Sequence, residues 1–354
     1  MSTPELTEPR RITRDSWLPE VLTKIAASAA AILTTLFGLL LLTFIIGRMM
    51  PADPVLAILG DNFDQAAYDR VYAELGLDRS LPEQFLTYFQ SIIQFDFGQS
   101  NVTRNSVAAD LARVFPATLE LAIVAILIGT VVGVPLGIAS AVKRGTWLDH
   151  LGRIVALLGY SAPIFWLGTM VILIFYARLQ WIPGGGRIDL YNDGLVVGPT
   201  GMLLLDSILA GEWEVFWSAL HHIAAPALLL GYAAMAYLSR MSRSFMLEQL
   251  SQEYILTARA KGLGERPIIW KHAFRNIRVQ LLTVITLAFC GLLDGAVLIE
   301  TVFGWPGLGQ YLTAALFYAD MNAVLGAVLL IGLISILINL LTDVVYRFVD
   351  PRTR

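Results

Sequence analysis

The chain has 354 residues, of which 56% are hydrophobic and only 15% are charged. Soluble globular proteins carry about 25% charged residues, so this composition excludes an ordinary soluble domain and indicates a protein embedded in lipid. The net charge is −3, and the one cysteine, Cys290, cannot form an internal disulfide or hold a metal cluster by itself.

Six segments are long and apolar enough, or nearly so, to cross a bilayer. A helix rises about 1.5 Å per residue, so roughly 20 apolar residues span the hydrocarbon core. The sequence therefore predicts an all-α, polytopic membrane protein with six transmembrane helices. The fourth segment is short and must extend past His222 or Arg240, while the second contains Glu120 and the fifth contains Asp294. In chain order the segments are Ile25–Gly47, Pro116–Val142, Ile154–Ala177, Ile223–Ser239, Val279–Ile299 and Met321–Thr342.

These segments and the loops between them divide the chain into five predicted regions. The N-terminal segment includes an interfacial helix near Trp17, and the first outer loop is long enough for a small helical subdomain. The core contains five helices, a second outer loop at 178–222 and an inner loop at 251–264. The regions are 1–24 (N-terminal segment), 25–47 (first span), 48–114 (outer subdomain), 115–349 (five-helix core) and 350–354 (tail).

Both outer loops contain predicted helices. Asp64–Leu75 has helical spacing, and Leu81–Phe95 carries Pro82 in its first turn, where a proline is tolerated. In the second loop, Pro183–Gly186 predicts a turn and Met202–Leu209 a short amphipathic helix.

The stretch Thr301–Ala319 is uncharged and could be mistaken for a seventh span. It contains the run Gly304–Gly309, whose glycines and proline would free backbone groups that lipid cannot satisfy. We therefore expect a turn followed by a short helix at or outside the membrane surface.

The lysines and arginines indicate the orientation of the chain. Most of them lie in the N-terminal segment, the loop after the second span, the loop after the fourth span and the tail. Because cytoplasmic loops are rich in these residues, both termini are predicted to be cytoplasmic. The outer loops are acidic instead, which is typical of a solvated face and could also attract cationic solutes or a basic partner.

The sequence lacks the motifs of an enzyme. It contains no Gly-x-x-x-x-Gly-Lys-Ser/Thr, no His-Glu-x-x-His and no Gly-x-Ser-x-Gly run. We expect no catalytic, cofactor-binding or metal-binding residues in this chain and no nucleic-acid partner.

The inner loop Ser251–Gly264 carries the most specific signal. Its short helix ends at a pair of glycines, which suits a C-terminal cap, and its basic residues Arg259 and Lys261 alternate with Ala258 and Ala260. Small residues let a partner approach closely. An anchor that grips lipid headgroups is the alternative reading.

The run Glu253–Leu263 resembles the cytoplasmic "EAA" loop of ABC importer permeases, and above all the dipeptide/oligopeptide/nickel permease family. The resemblance covers residues 25–354, and the long first outer loop is similar to that of the B-type member of the permease pair. Further matches are Leu75–Asp78, Phe97–Ser100, Pro116–Leu121, Ser161–Gly168, Glu300–Gly309 and Asp350–Arg352.

This resemblance implies the type I ABC importer permease architecture in a bacterial cytoplasmic (inner) membrane. The chain would form half of a translocation pathway for di- or oligopeptides, with nickel, opines or oligosaccharides as alternatives. The implied partners are a C-type permease, two ATP-binding subunits that use the ATP, an extracytoplasmic substrate-binding protein and the bilayer. The residues implied to couple to the ATPase are Tyr254, Thr257, Ala258, Arg259, Ala260, Lys261, Gly262 and Leu263.

The sequence departs from the family pattern at several positions. Gln280 stands where a proline is frequent, and Asp294 stands where a small residue is expected. A charge inside the bilayer is costly, so Asp294 is a candidate for the translocation path, with a structural hydrogen bond as the alternative. Glu120 and Pro163 are the other candidates, although Glu120 lies nearer the outer boundary, which favours a snorkelling structural role for it. Pro163 and Asp294 also leave open a secondary transporter or channel.

Overall fold

The computed structural model describes residues 17–49, 54–60 and 64–349. The tail 350–354 and residues 1–16 of the predicted N-terminal segment lie outside these ranges. In the described ranges the regular secondary structure is helical, with a single isolated bridge between Gln99 and Ser106 and no β-sheet. The helices are α1 (Trp17–Met49), α2 (Pro54–Leu59), α3 (Gln65–Glu74), α4 (Leu81–Ile93), α5 (Val107–Val142), α6 (Trp147–Ser161), α7 (Ile164–Val171), α8 (Leu203–Ala210), α9 (Trp213–Leu250), α10 (Glu253–Ala260), α11 (Glu265–Pro267), α12 (Phe274–Phe303), α13 (Leu308–Phe317) and α14 (Met321–Val349).

Five helices of the described chain have the length and apolarity of a membrane span, and a bent pair supplies a sixth. The five are α1, α5, α9, α14 and the helix Glu265–Phe303, which joins α11, a π-helical turn at Ile268–Ala273 and α12. The predicted fourth span is the middle of α9, which extends past both of its ends. The all-α architecture and its six spans are therefore as predicted.

The third span differs from its prediction as one continuous helix, Ile154–Ala177. The helix breaks after Ser161, and the segments on either side of the break are bent by 93°. Pro163 explains the break, because a proline disfavours helical geometry in the residue before it. Ala162 accordingly is extended, with φ −90° and ψ 132°.

Helices α5 and α9 form the centre of the molecule. Gly129 and Gly133 lie on the face of α5 toward α9, and a Cβ on either would approach Ala234 Cβ at 2.6 Å or Met235 O at 2.8 Å. Small residues of this kind let two membrane helices approach closely. The α5–α9 pair is therefore the framework on which the other helices pack.

The segments predicted to lie on the outer side have the predicted secondary structure. Helices α3 and α4 match the two predicted in the first loop, and Ser80 and Glu83 form a capping box at the start of α4. Helix α8 matches the one predicted in the second loop. The stretch Thr301–Ala319 contains the last residues of α12, a turn after Phe303 and then α13, so a turn followed by a short helix is present as predicted.

Candidate functional site

Helix α10 is held on the body of the protein by one narrow face. Ile255 is fully buried and Ala258 is 8% exposed, and their spacing of three places them on one side of the helix. They belong to a buried cluster with Met246, Ile268 and Ile277, which come from α9, the π-helical turn and α12. This face anchors the loop, so Ala258 lies against the protein and is not available to a partner.

A glycine cap ends α10. Gly262 has a φ of +78°, and its N–H donates to the carbonyl of Arg259 at 2.9 Å, while the N–H of Leu263 donates to the carbonyl of Ala258 at 3.2 Å. These two bonds are the Schellman pattern, which satisfies the last carbonyls of a helix. A Cβ at Gly262 would meet no atom within 4 Å. The glycine is thus required by its backbone conformation and not by crowding within the chain.

The remaining face of α10 is open. Leu256 is 57% exposed, and Thr257, Ala260, Lys261 and Leu263 are exposed with it. This face combines the outward side chains of Leu256 and Leu263 with small and basic residues. We refer to these five residues as the α10 face.

Two polar side chains of the loop that are predicted to couple to the ATPase, Arg259 and Tyr254, make hydrogen bonds within the chain. Arg259 makes two bonds to Glu265, with Nε to Oε1 at 2.9 Å and Nη2 to Oε2 at 3.2 Å. The hydroxyl of Tyr254 donates to Gln249 and accepts from Asn276. Both therefore brace α10 against its flanking segments.

On the opposite side of the membrane, the turn after α12 is deeply buried. Trp305 is 1% exposed, and its Nε1 donates to the carbonyl of Ala117 at 3.0 Å. Glu300 is fully buried and accepts the N–H of Gly309 at 2.6 Å, while Thr118 Oγ1 accepts the N–H of Leu308 at 2.7 Å. These bonds fix the start of α13 on α5.

Glu120 extends the same network. Its carboxylate pairs with Arg187 Nη2 at 2.6 Å and accepts the N–H of Leu204 at 2.6 Å, and the Arg187 guanidinium lies over the Trp305 ring at 5.6 Å. We call Thr118, Glu120, Arg187, Glu300 and Trp305 the outer knot. Glu120 is 4% exposed, so its geometry favours the structural alternative over a place on the translocation path.

Asp294 lies in a different environment. It is exposed in this chain, on a face of α12 that also carries Leu287, Gly291 and Leu298 at helical spacing. Among the described residues, none makes a hydrogen bond or ion pair to its carboxylate. Pro163 is also exposed and caps α7 at the bend of the third span. Among the described residues, no hydrogen bond or ion pair joins any two of the three path candidates.

Sequence reasoning missed one buried ion pair on the α10 side. Asp149 is 2% exposed and accepts from Arg243 Nε at 2.7 Å and Nη2 at 3.0 Å, which joins α6 to α9. A signal was present, because Asp149 is the one acidic residue in the basic loop after the second span. Its partner could not be read from the sequence.

Comparison with known proteins assigns the chain to a family. Residues 133–354 match the model of the binding-protein-dependent transport system inner membrane component, and residues 21–122 match the N-terminal model of the same kind of membrane component. A probable D,D-dipeptide transport system permease protein of Escherichia coli K12 is 44% identical over 89% of this chain and 92% of its own. The di/tripeptide transport system permease protein of Pseudomonas aeruginosa UCBPP-PA14 is 40% identical over 94% of this chain and 99% of its own.

A solved structure has the same fold. The methionine ABC transporter MetNI, in an inward-facing conformation, aligns with a TM-score of 0.50 and 20% identity over 68% of this chain and 96% of its own. The apolar helices and the family match make this chain a multi-pass inner-membrane transport component. It belongs to the binding-protein-dependent transport system inner membrane component family, of the ABC importer permeases.

Proposed function

We propose that the chain is the B-type permease subunit of an importer for di- and tripeptides. The names of its relatives support this substrate class, since one is named a probable D,D-dipeptide transport permease and another a di/tripeptide transport permease. The proposed complex contains a C-type permease, two ATPase subunits that hydrolyse the ATP and an extracytoplasmic binding protein. Both termini lie in the cytoplasm, on the side of the basic loops.

The α10 face carries this proposal. It is an exposed surface on a short helix whose opposite side is fixed to the body by Ile255 and Ala258. A helix held in this way transmits force, because a push on its outer face moves the buried anchor and the helices α9 and α12 around it. The face is accordingly the docking point of an ATPase subunit.

Replacing Gly262 with valine tests the docking. Valine in the left-handed region is strained, so the cap and the position of Leu263 should change while the anchor stays in place. We expect peptide uptake to fall at least tenfold with the chain still inserted in the membrane. Gly145→Val is the matched control, because Gly145 has a φ of +80°, lies in a loop on the same side and has no atom within 4 Å of a Cβ.

The readouts are uptake of a labelled dipeptide and peptide-stimulated ATP hydrolysis by the purified complex. The proposal requires that Gly262→Val lowers uptake and its coupling to hydrolysis, and that Gly145→Val does not. Equal uptake in the two variants would show that α10 is not the docking helix. A nickel chelate or oligosaccharide that is taken up in place of peptides would overturn the substrate class alone.

We also propose that Asp294 faces the translocation path. An exposed carboxylate inside an apolar span is too costly to face lipid, and the ammonium group of a peptide offsets part of that cost by pairing with it. Asp294→Asn should therefore lower uptake of cationic peptides more than uptake of acidic ones.

A second carboxylate serves as the control for the Asp294 experiment. Asp193 is exposed in the outer loop, so Asp193→Asn removes the same charge from the solvated surface. If uptake of both peptide classes falls equally in Asp294→Asn, or if Asp193→Asn has the same selective effect, Asp294 is not on the path.

A further inference from the structure

A cavity of about 420 Å³ opens between α6 and α9, on the same side of the membrane as α10. One face of α9 lines it, with Ala236, Arg240, Arg243 and Leu247 at successive helical turns. The cavity belongs neither to the α10 face nor to the exposed side of α12 that carries Asp294. Its chemistry is therefore independent of the proposed transport path.

The cavity is cationic at one end. Arg153 of α6 and Arg240 and Arg243 of α9 line it. Asp149 offsets one of these charges, because its carboxylate pairs with Arg243 at 2.7 Å and also lies 4.0 Å from Arg153. The residues that line the cavity carry a net positive formal charge, which favours an anionic ligand.

A buried hydroxyl completes the polar end. Ser140 of α5 is 2% exposed, and its Oγ has no hydrogen-bond partner among the described residues. It lines the cavity beside Gly152, where an added Cβ would lie 2.5 Å from that Oγ. Ser239 and Ser244 supply two further hydroxyls to the lining. Unsatisfied buried polar groups are rare because they are costly, so a ligand oxygen has a ready donor here.

The rest of the cavity is apolar. Ala156 and Leu157 of α6 face Ala236 of α9 across it. Helix α6 also exposes Ile154 and Leu158, so the apolar wall continues toward lipid. A ligand that fits has an anionic head and a hydrocarbon tail.

We propose that this cavity binds an anionic phospholipid of the cytoplasmic leaflet. The phosphate lies among the three arginines and Ser140, and an acyl chain follows the wall of Ala156 and Leu157. Basic pockets between membrane helices on the cytoplasmic side recognise anionic headgroups in this way. The lipid fills the space between α6 and α9 and so braces the bent third span against the central helix.

Native mass spectrometry of the full-length chain, with the subunits that co-purify, tests this proposal. The protein is delipidated and titrated with phosphatidylglycerol or with phosphatidylcholine of the same acyl chains. We expect phosphatidylglycerol to bind preferentially. Arg153→Gln with Arg240→Gln should weaken its binding roughly 25-fold, since each cation contributes about a fivefold factor.

Two further variants separate a built site from surface attraction. Lys143→Gln with Arg144→Gln removes the same charge from exposed positions outside the cavity and should leave binding nearly unchanged. Ala156→Phe fills the apolar wall without changing any charge and should also weaken binding. It keeps the test decisive if the arginine variant fails to fold.

Several outcomes would overturn the proposal. If the cavity variant and the Lys143/Arg144 variant lose the same amount of phosphatidylglycerol binding, the lipid is attracted to any basic surface. If phosphatidylglycerol and phosphatidylcholine bind equally, the arginines do not select the headgroup. Displacement of the lipid by millimolar inorganic phosphate would make the site one for a free anion, and absence of bound lipid in the assembled complex would mean that another subunit covers the cavity.

Discussion

The outer knot and the α10 loop lie on opposite sides of the membrane and are built in opposite ways. In the outer knot, buried side chains from α5, α12 and the second outer loop bind one another and the backbone, with Glu120 and Trp305 each less than 5% exposed. In the α10 loop, one side of helix α10 is buried against the protein and the other side is exposed. The outer knot therefore fixes the positions of helices, whereas the loop leaves one side of α10 exposed. This difference separates polar residues that bind within the chain from those on an exposed surface.

The glycines of the two regions show the same contrast. A Cβ at Gly307 would lie 2.5 Å from Glu300 Oε1 and from Thr118 Oγ1, so no side chain fits in the outer knot. A Cβ at Gly262 would meet nothing. Glycine in the knot serves close packing, and glycine in the loop serves a backbone turn.

The largest loss of folding stability is expected for a substitution in the outer knot. Trp305→Ala removes a buried ring and the hydrogen bond to the Ala117 carbonyl, and large-to-small changes of this kind cost about 3–5 kcal/mol. We expect a lower unfolding temperature and less folded protein, measured by fluorescence-detected gel filtration after heating. Trp217→Ala is the control, because Trp217 is 64% exposed. If both variants unfold at the same temperature, the outer knot is not a stabilising centre.

An intermediate loss of stability is expected on the buried side of α10, and none on its exposed side. Ile255→Ala should loosen the anchor, at a local cost of about 2–5 kcal/mol, and so reduce both stability and uptake. Leu256→Ala, one residue along on the exposed face, should leave the unfolding temperature unchanged and reduce only uptake. The two variants are compared by thermal unfolding and by labelled dipeptide uptake. A Leu256→Ala protein that transports normally would show that the bare leucine contacts no partner.

The features predictable from the sequence are those that depend on local pattern. The apolar runs predicted six spans, the glycine pair after α10 predicted its cap, and Gly304–Gly309 predicted a turn in place of a seventh span. The bend at Pro163 also had a local signal, since a proline disfavours helix in the residue before it. The long apolar run of residues 154–177 hid that signal.

The contacts that fix the site could not be predicted, because they join residues far apart in the chain. Arg187 binds Glu120 across 67 residues, Arg243 binds Asp149 across 94, and Trp305 reaches the Ala117 carbonyl across 188. Their partners depend on how the helices pack. For the same reason the sequence could not tell that Ala258 faces inward or that Glu120 is bound within the chain.

The smallest effect on stability is expected at Arg259. Its pair with Glu265 has good geometry, but the two side chains are 43% and 60% exposed, and ion pairs in water contribute little to folding because solvent screens them. The hydrogen bonds that Arg259 donates to Glu265 raise the pKa of its guanidinium, which is charged at neutral pH in any case. Arg259→Gln should leave the unfolding temperature within the error of the measurement.

If the pair positions α10 for docking, uptake should fall in Arg259→Gln and in Glu265→Gln by similar factors, because either change removes the same two bonds. If uptake falls only in Arg259→Gln, the guanidinium itself contacts the partner. Arg259 would then belong to the α10 face and not to the contacts that hold the helix in place.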